Sequence, residues 1–578
     1  YTPPESNNAK GNDYVCVKLQ TGEEIWRKTY AVTPTFGQLF DFESPNQHGV
    51  IPNGYLWAVS GTTWIAYDPL DGSWLFNITN VPSGTTKFGP HGELLIYRID
   101  TKNGWLALWN STEAFGSTML SYRPVGTVVN AVNAYSWNVT IPPETNVPGA
   151  TIQAVIYDDM ILGSSTLASS FTWGTTDPYT FWAISIDHDT RGKLLWVKNY
   201  AAPSGNVSRI MGVVDEETRV FTLSEKETMR WYGYDLDTGQ ELWGPTASQG
   251  AFDYYGTTSN TMKAFKAYGN MYYAGYGGVL YCYDLKTGKL EYSYGNGGVG
   301  NSTNSGLETA YGHYPLAIGN IADGKIYVYT SEHSPNAPLY KGALIRCLNA
   351  TTGEELWKMS GWGQVGVDQS WPIADGYMVY LNSYDMQLYC VGKGPSATTV
   401  QAPLTQITAG ESVIIQGAVT DIAAGTTQDE QAARFPNGVA CVSDESMSGW
   451  MEYVYMKKAK PTNAVGVEVT ISAIDPNGNY IILGTTTSDA SGLYSFVWQT
   501  PDVPGKYTIT ATFAGTNSYY GSYAKTAVVV SEPAATVAPT EQPKSVADLY
   551  LVPGIIGIII SVFVVGALLA LLLLRKRP

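Results

Sequence analysis

The feature that most constrains this chain of 578 residues is a repeat. YVCVKLQTGEEIW starts at Tyr14, WIAYDPLDGSWLF at Trp64, and WAISIDHDTRGKLLW at Trp182. WYGYDLDTGQELW starts at Trp231, LYCYDLKTGKLEY at Leu280, and LIRCLNATTGEELW at Leu344. Each reads as an alternating strand, a turn ending in glycine and a second strand. The turn glycines are Gly22, Gly72, Gly192, Gly239, Gly288 and Gly353, and four residues after each stands an aromatic: Trp26, Phe76, Trp196, Trp243, Tyr292 and Trp357. An acidic residue ahead of the turn (Asp68, Asp187, Asp235, Asp284) can accept from turn amides, and glycine reaches positive φ without steric cost. The aromatic is then free to leave the outer strand and cover the next sheet.

Successive turn glycines lie 50, 120, 47, 49 and 65 residues apart. The long gap holds a decayed copy, GWLALWN from Gly104 and then, after an insertion, Trp137 in AYSWNVT. A last half-repeat, MVYLNSYDMQLYCVG, starts at Met378. A period near 48 with four short strands per unit predicts an all-β chain dominated by a seven- to eight-bladed β-propeller over residues 1–395. Composition agrees: 60 Gly, 13% aromatics and only 15% charged residues favour short strands and tight turns. Nothing before Tyr14 supplies the inner strands of the first blade, so that blade is expected to be incomplete, and Tyr1 in place of Met points to a fragment or a processed chain. The repeats resemble those of the pyrroloquinoline-quinone-type propeller superfamily, whose docking motif is Asp-x-x-Thr-Gly-x-x-x-Trp. The resemblance implies the fold and the docking role of Trp26, Phe76, Trp137, Trp196, Trp243, Tyr292 and Trp357. It carries no catalytic residue across. The quinoprotein dehydrogenases have adjacent cysteines against the quinone, and this chain has no Cys-Cys pair and no Cys-x-x-Cys-His. No cofactor is therefore expected: quinone is disfavoured, and a divalent cation stays open.

From Ser396 the pattern changes to strands such as SVIIQGAVTD, GVEVTISAID and GKYTITATF. These resemble the immunoglobulin-like β-sandwiches of bacterial and archaeal surface proteins, placed here at 396–530 with an insertion at 426–458. Within the insertion, 443–457 is expected to form a short amphipathic helix. Residues 531–548, rich in Pro, Ala and Thr, read as a stalk. Residues 549–574 read as a transmembrane helix, since from Ile555 to Leu574 the only polar side chain is Ser561. Arg575, Lys576 and Arg577 make 575–578 a basic tail, and the positive-inside rule puts it in the cytoplasm with the bulk of the chain outside. Pro553-Gly554, an apolar run and basic residues resemble the carboxyl-terminal sorting signals of archaeal surface proteins; Ile555 stands where those carry Phe, which favours a retained helix. Sequons at Asn77, Asn110, Asn138, Asn206, Asn301 and Asn349 predict exposed, N-glycosylated asparagines. A net charge of −16 excludes nucleic acid as a natural partner.

Cys16, Cys282 and Cys347 sit two residues before the acidic slot, where Ala66, Ser185 and Gly233 stand in other repeats. The slot thus demands a small side chain, and with Cys390 these cysteines are expected to be buried, unpaired and structural. The ligand candidates are three polar loops: Asp41, Glu43, Asn46 and His48; Glu308 and His313; Glu332 and His333. They are expected on the face where connections between blades meet those between second and third strands, there to hold a metal or a sugar. Glu225, Lys226, Glu227 and Arg230 add charges of both signs to that face, read as salt bridges. The leading functional expectation is a membrane-anchored cell-surface binding, adhesion or cell-envelope protein, with tyrosine and tryptophan rims suited to polysaccharide, peptide or other surface proteins. The alternative is an extracellular enzyme, quinoprotein-like or metal-dependent, working at the central face.

Overall fold

A computed structural model describes residues 13–43, 50–115, 124–168, 177–250, 253–254, 263–295, 315–330, 343–363, 371–533 and 542–576. Up to Val391 the strands fall into small antiparallel sheets that follow chain order. A two-stranded sheet (Asp13–Val17, Glu24–Thr29) comes first, then six four-stranded meanders, here blades 1 to 6, then a three-stranded sheet ending at Gln387–Val391. Such meanders in series are the unit from which propellers are built. Blade 1 runs from Phe36–Glu43 to Trp74–Thr79, blade 2 from Thr85–Phe88 to Tyr135–Thr140, and blade 3 from Thr151–Ile156 to Leu194–Tyr200. Blade 4 spans Arg209–Asp215 to Glu241–Trp243, blade 5 Phe265–Ala267 to Leu290–Gly295, and blade 6 Leu316–Ala322 to Glu355–Ser360. The insertion in blade 2 crosses back to its neighbour: Thr127–Asn130 pairs in parallel with Trp74–Thr79 and gives blade 1 a fifth strand.

All six turn glycines adopt positive φ, between 67° and 83°. The acidic slot works as its chemistry suggests: Asp68, Asp187, Asp235 and Asp284 each accept from a turn amide at 2.8–3.0 Å. Asn349 fills the same slot in blade 6, accepting from Thr351 N at 2.9 Å. The docking aromatics then reach across to the following sheet. Trp26 donates to Pro69 O (2.9 Å), Trp196 to Leu236 O (3.0 Å), Trp243 to Leu285 O (2.8 Å) and Tyr292 to Ala350 O (2.8 Å). Each ring lies on the next sheet's turn glycine: a Cβ on Gly239, Gly288 or Gly353 would come within 2.4–2.6 Å of it. Phe76 has no donor and is fully buried, edge-on to Phe115 at 5.4 Å. Trp137 is met by the Arg191 guanidinium, 5.1 Å from its ring centroid.

The ladders explain the small-residue slot. Cys16 pairs with Trp26, Ala66 with Phe76, Ala183 with Trp196, Gly233 with Trp243, Cys282 with Tyr292 and Cys347 with Trp357. Immediately after each of these pairs the register slips by a bulge, a device that bends and re-aims a strand. A small side chain opposite leaves room for the large ring to turn outward. Two expectations are corrected here. In blade 3 the slot is Ala183 and not Ser185, because its turn is longer by three residues, two of them ahead of Asp187. Cys390 is exposed rather than buried, since the last sheet has no fourth strand among the described residues to cover it, and Cys16 is only half-buried. All five cysteines are free, and burial pushes the thiols of Cys282 and Cys347 up to about 12, which leaves them inert.

Trp357 departs from the pattern. The strand that carries it, Glu355–Ser360, is met by the helix Met447–Tyr455 from the later unit. Glu452 Oε1 accepts from Ser360 N (2.8 Å) and Ser360 Oγ (3.1 Å), and Lys358 N donates to Ser448 Oγ (3.3 Å). That unit consists of two sheets. One is built on Ser412–Asp421 and Leu493–Gln499; the other holds Glu468–Ile474, Tyr480–Thr487, Gly505–Gly515 and Tyr520–Ser531. Val413, Ile415 and Trp498 of the first face Val469, Ile509, Phe513 and Val528 of the second in a shared core. Helix Met447–Tyr455 falls within the stretch expected to be helical, and it buries Trp450 and Val454. Finally, Val546–Leu574 forms one helix, capped by Ser545 and with no buried residue. It is long and apolar enough to cross a membrane, and begins three residues before the expected boundary at 549.

Candidate functional site

In an antiparallel meander, connections alternate between the two ends. Links from one blade's last strand to the next blade's first therefore emerge at the same end as links between second and third strands. Residues 331–342 join the second strand of blade 6 to its third, and 296–314 join blades 5 and 6, so both leave that end. Residues 44–49 join Phe36–Glu43 to Val50–Ser60, the first and second strands of blade 1, and so belong to the opposite end. The expectation that all three polar loops share one face is thereby corrected. The backbone of Glu43 closes the first strand of blade 1 opposite Val50. Asn46, His48, Glu308, His313, Glu332 and His333 lie outside the described residues, as does Asn301. Of the other sequons, Asn138 and Asn206 are exposed, whereas Asn77, Asn110 and Asn349 are half-buried. Asn349 has a second reason to be asparagine, its place in the turn.

Of the charges read as salt bridges, Glu225 makes one, with Arg209 on the adjacent strand, while Glu227 bonds Ser208. Arg209 donates Nη2 to Glu225 Oε1 at 2.8 Å and Nη1 to Tyr234 OH at 3.0 Å, while Glu227 accepts from Ser208 N and Oγ. Nearby, Asp253 is fully buried in the link between blades 4 and 5, with Oδ1 accepting from Gly277 N at 2.8 Å. Its Oδ2 has no hydrogen-bond partner, and neither has the hydroxyl of Tyr273. Burial pushes the Asp253 carboxyl up to about 6, against the smaller opposing pull of the Gly277 amide. Among the described residues no three His, Cys, Asp or Glu side chains group as a metal site.

The described residues do build one cleft of ligand size at the end where blade-to-blade links emerge. It has a volume of about 410 Å³ and lies between blades 2 and 3. Three connections assemble it: 80–84 ahead of blade 2, 101–104 between Leu94–Asp100 and Trp105–Asn110, and 141–150 ahead of blade 3. Arg98 and Trp105 form one wall, with the guanidinium carbon 5.5 Å from the indole centroid and Arg98 Nη1 donating to Tyr135 OH at 2.8 Å. Asp100 is committed to its own turn, accepting from Asn103 N (2.9 Å) and Nδ2 (2.7 Å), and these bonds hold its carboxyl below its usual range. Lys102 and Glu144 are exposed at the rim. Sequence reading missed this cleft. The one signal available was YRIDTKNGW, a turn between second and third strands with cations on both sides of an aspartate and a tryptophan at its end.

No protein-family model matches the sequence, and no curated protein matches it. Solved structures that align with it include the computationally designed Ika8 protein, at 12% identity over 83% of this chain and 100% of that one, with a TM-score of 0.33. BamB from Moraxella catarrhalis aligns at 13% identity over 81% and 100%, TM-score 0.27. A europium-containing methanol dehydrogenase aligns at 12% over 80% and 93%, also with a TM-score of 0.27. Likeness at this level transfers neither activity nor residue roles.

Proposed function

We propose that this chain is a membrane-anchored, N-glycosylated cell-surface protein of archaeal type. In this reading its meanders close into a seven- or eight-bladed propeller of pyrroloquinoline-quinone-like type and serve as a binding or adhesion head at the cell envelope. The observation that carries the reading is the helix Val546–Leu574, nearly all apolar and without a single buried residue. Leu568, Leu571, Leu573 and Leu574 are each more than half exposed, a surface suited to hydrocarbon rather than water. Arg575 and Lys576 follow at once and favour a cytoplasmic end there, with everything before the helix outside. Residues 396–530 serve as an immunoglobulin-like spacer, 426–458 as its fastening to the head, and 531–548 as a stalk. The head takes a polysaccharide, a peptide or another surface protein, with Glu43, Asn46, His48, Glu308, His313, Glu332 and His333 as further contacts outside the cleft. The test is protease added to intact cells, followed by mass spectrometry of the released peptides. We expect release of the chain ahead of the helix, with glycan on Asn138 and Asn206. Protection of the whole chain would overturn the topology.

A further inference from the structure

We propose that the cleft between blades 2 and 3 binds the carboxylate of an acidic sugar, a proposal that rests on reading this chain as a binding head. Acidic residues outnumber basic ones by 50 to 34, so an arginine here has carboxylates in excess to choose from. Arg27, Arg191, Arg209, Arg219, Arg346 and Arg434 each pair with one. Arg98 does not. It is half-buried and steadied by Tyr135 OH and the Trp105 ring. Among the described residues its Nε and Nη2 meet no hydrogen-bond acceptor and its charge meets no carboxylate. Lys102, two residues beyond Asp100, likewise makes no close ion pair among the described residues; Asp100 is occupied by Asn103 and feels Lys102 only as a weaker, more distant charge.

A held guanidinium with two free donors fits a planar carboxylate better than it fits a tetrahedral anion. Trp105, half-exposed, offers an apolar face for the C–H side of a pyranose ring. On the remaining walls Ser83, Thr85 and Glu144 can bond sugar hydroxyls, and a cavity of about 410 Å³ has room for one or two sugar units.

The experiment titrates the full-length protein in detergent with a glucuronate-containing disaccharide, its neutral glucose counterpart and inorganic phosphate, read by calorimetry. The acidic disaccharide should bind at least roughly tenfold more tightly than the neutral one, as expected for a charge-assisted pair. Arg98→Gln should abolish that preference, and the exposed Lys102→Gln should reduce it with no change in unfolding temperature. Trp105→Ala should weaken both sugars. Equal binding of the two sugars, indifference to both charge variants, or phosphate binding as tightly as glucuronate would each overturn the proposal. So would an absence of binding by wild-type protein, and if cell-surface proteolysis still releases the head, that failure belongs to the cleft and not to the surface reading.

Discussion

Asp253 is the residue whose environment most opposes its chemistry. It is fully buried beside Tyr273 and Tyr281, and the pull of the Gly277 and Gly250 amides and the Tyr281 hydroxyl is smaller than the cost of burial. Its carboxyl rises from 3.8 to about 6, so the folded chain holds this proton more tightly than the unfolded chain does. The favourable contribution is complete below about pH 4 and is lost as pH climbs through 6, where ionisation costs the fold about 3 kcal/mol. Asp253→Asn keeps an oxygen for Gly277 and removes the charge. We expect it to raise the unfolding temperature at pH 7.5 and to leave it nearly unchanged at pH 4. Thermal scans at both values check this, and equal destabilisation at the two would show that the carboxylate is needed as an ion.

At the scale of elements, the hairpin of third and fourth strands is the module that repeats. Its glycine serves two ends: positive φ closes the turn, and the missing Cβ makes room for the ring of the preceding sheet. Gly22 and Gly288 separate the two contributions. Both have φ near 68°, but a Cβ on Gly22 would meet nothing within 4 Å, while one on Gly288 would strike the Trp243 ring at 2.4 Å. Gly22→Ala should therefore cost only the left-handed backbone strain, about 1 kcal/mol. Gly288→Ala should add overpacking of about 1–3 kcal/mol and strain the Trp243–Leu285 bond between blades 4 and 5. Denaturant unfolding of the two variants gives the comparison. Equal losses would mean that the ring moves aside freely and that docking contributes little.

Across the whole molecule, the meanders and the two-sheet unit meet at the helix Met447–Tyr455. Glu452 anchors it with two charge-assisted bonds to Ser360, and Asp444 at its base accepts from Ser518 N and Oγ within the two-sheet unit. Losing the Glu452 carboxylate should weaken the junction by roughly 1.5–3 kcal/mol. In calorimetry, Glu452→Ala is expected to split the unfolding of the meanders and the two-sheet unit into separate transitions, and Glu452→Gln, which keeps an acceptor, to split them less. A profile unchanged by Glu452→Ala would mean the two units stand independently. A unit fastened in this way is held at a fixed angle to the meanders, which a flexible linker would not do.

Much of this was legible from the chain alone because the governing contacts repeat at fixed offsets within one hairpin. The glycine, the acid before it and the aromatic four residues later are local, and all six turn glycines adopt the positive φ their position in the repeat calls for. The apolar run ending at Leu574 is equally local, since helix and hydrocarbon both read uninterrupted sequence. Other features depended on pairing across space. That Cys282 and Gly233 are small because each faces a docking aromatic needed the register, and three extra turn residues were enough to move the slot from Ser185 to Ala183. The end from which 44–49 emerges followed from strand order, not from its polar composition. The Arg98 cleft joins three connections drawn from residues 80 to 150, and Ser360 meets Glu452 across 92 residues. No spacing rule links such positions, because strand ends and inserted helices are brought together only when the sheets pack.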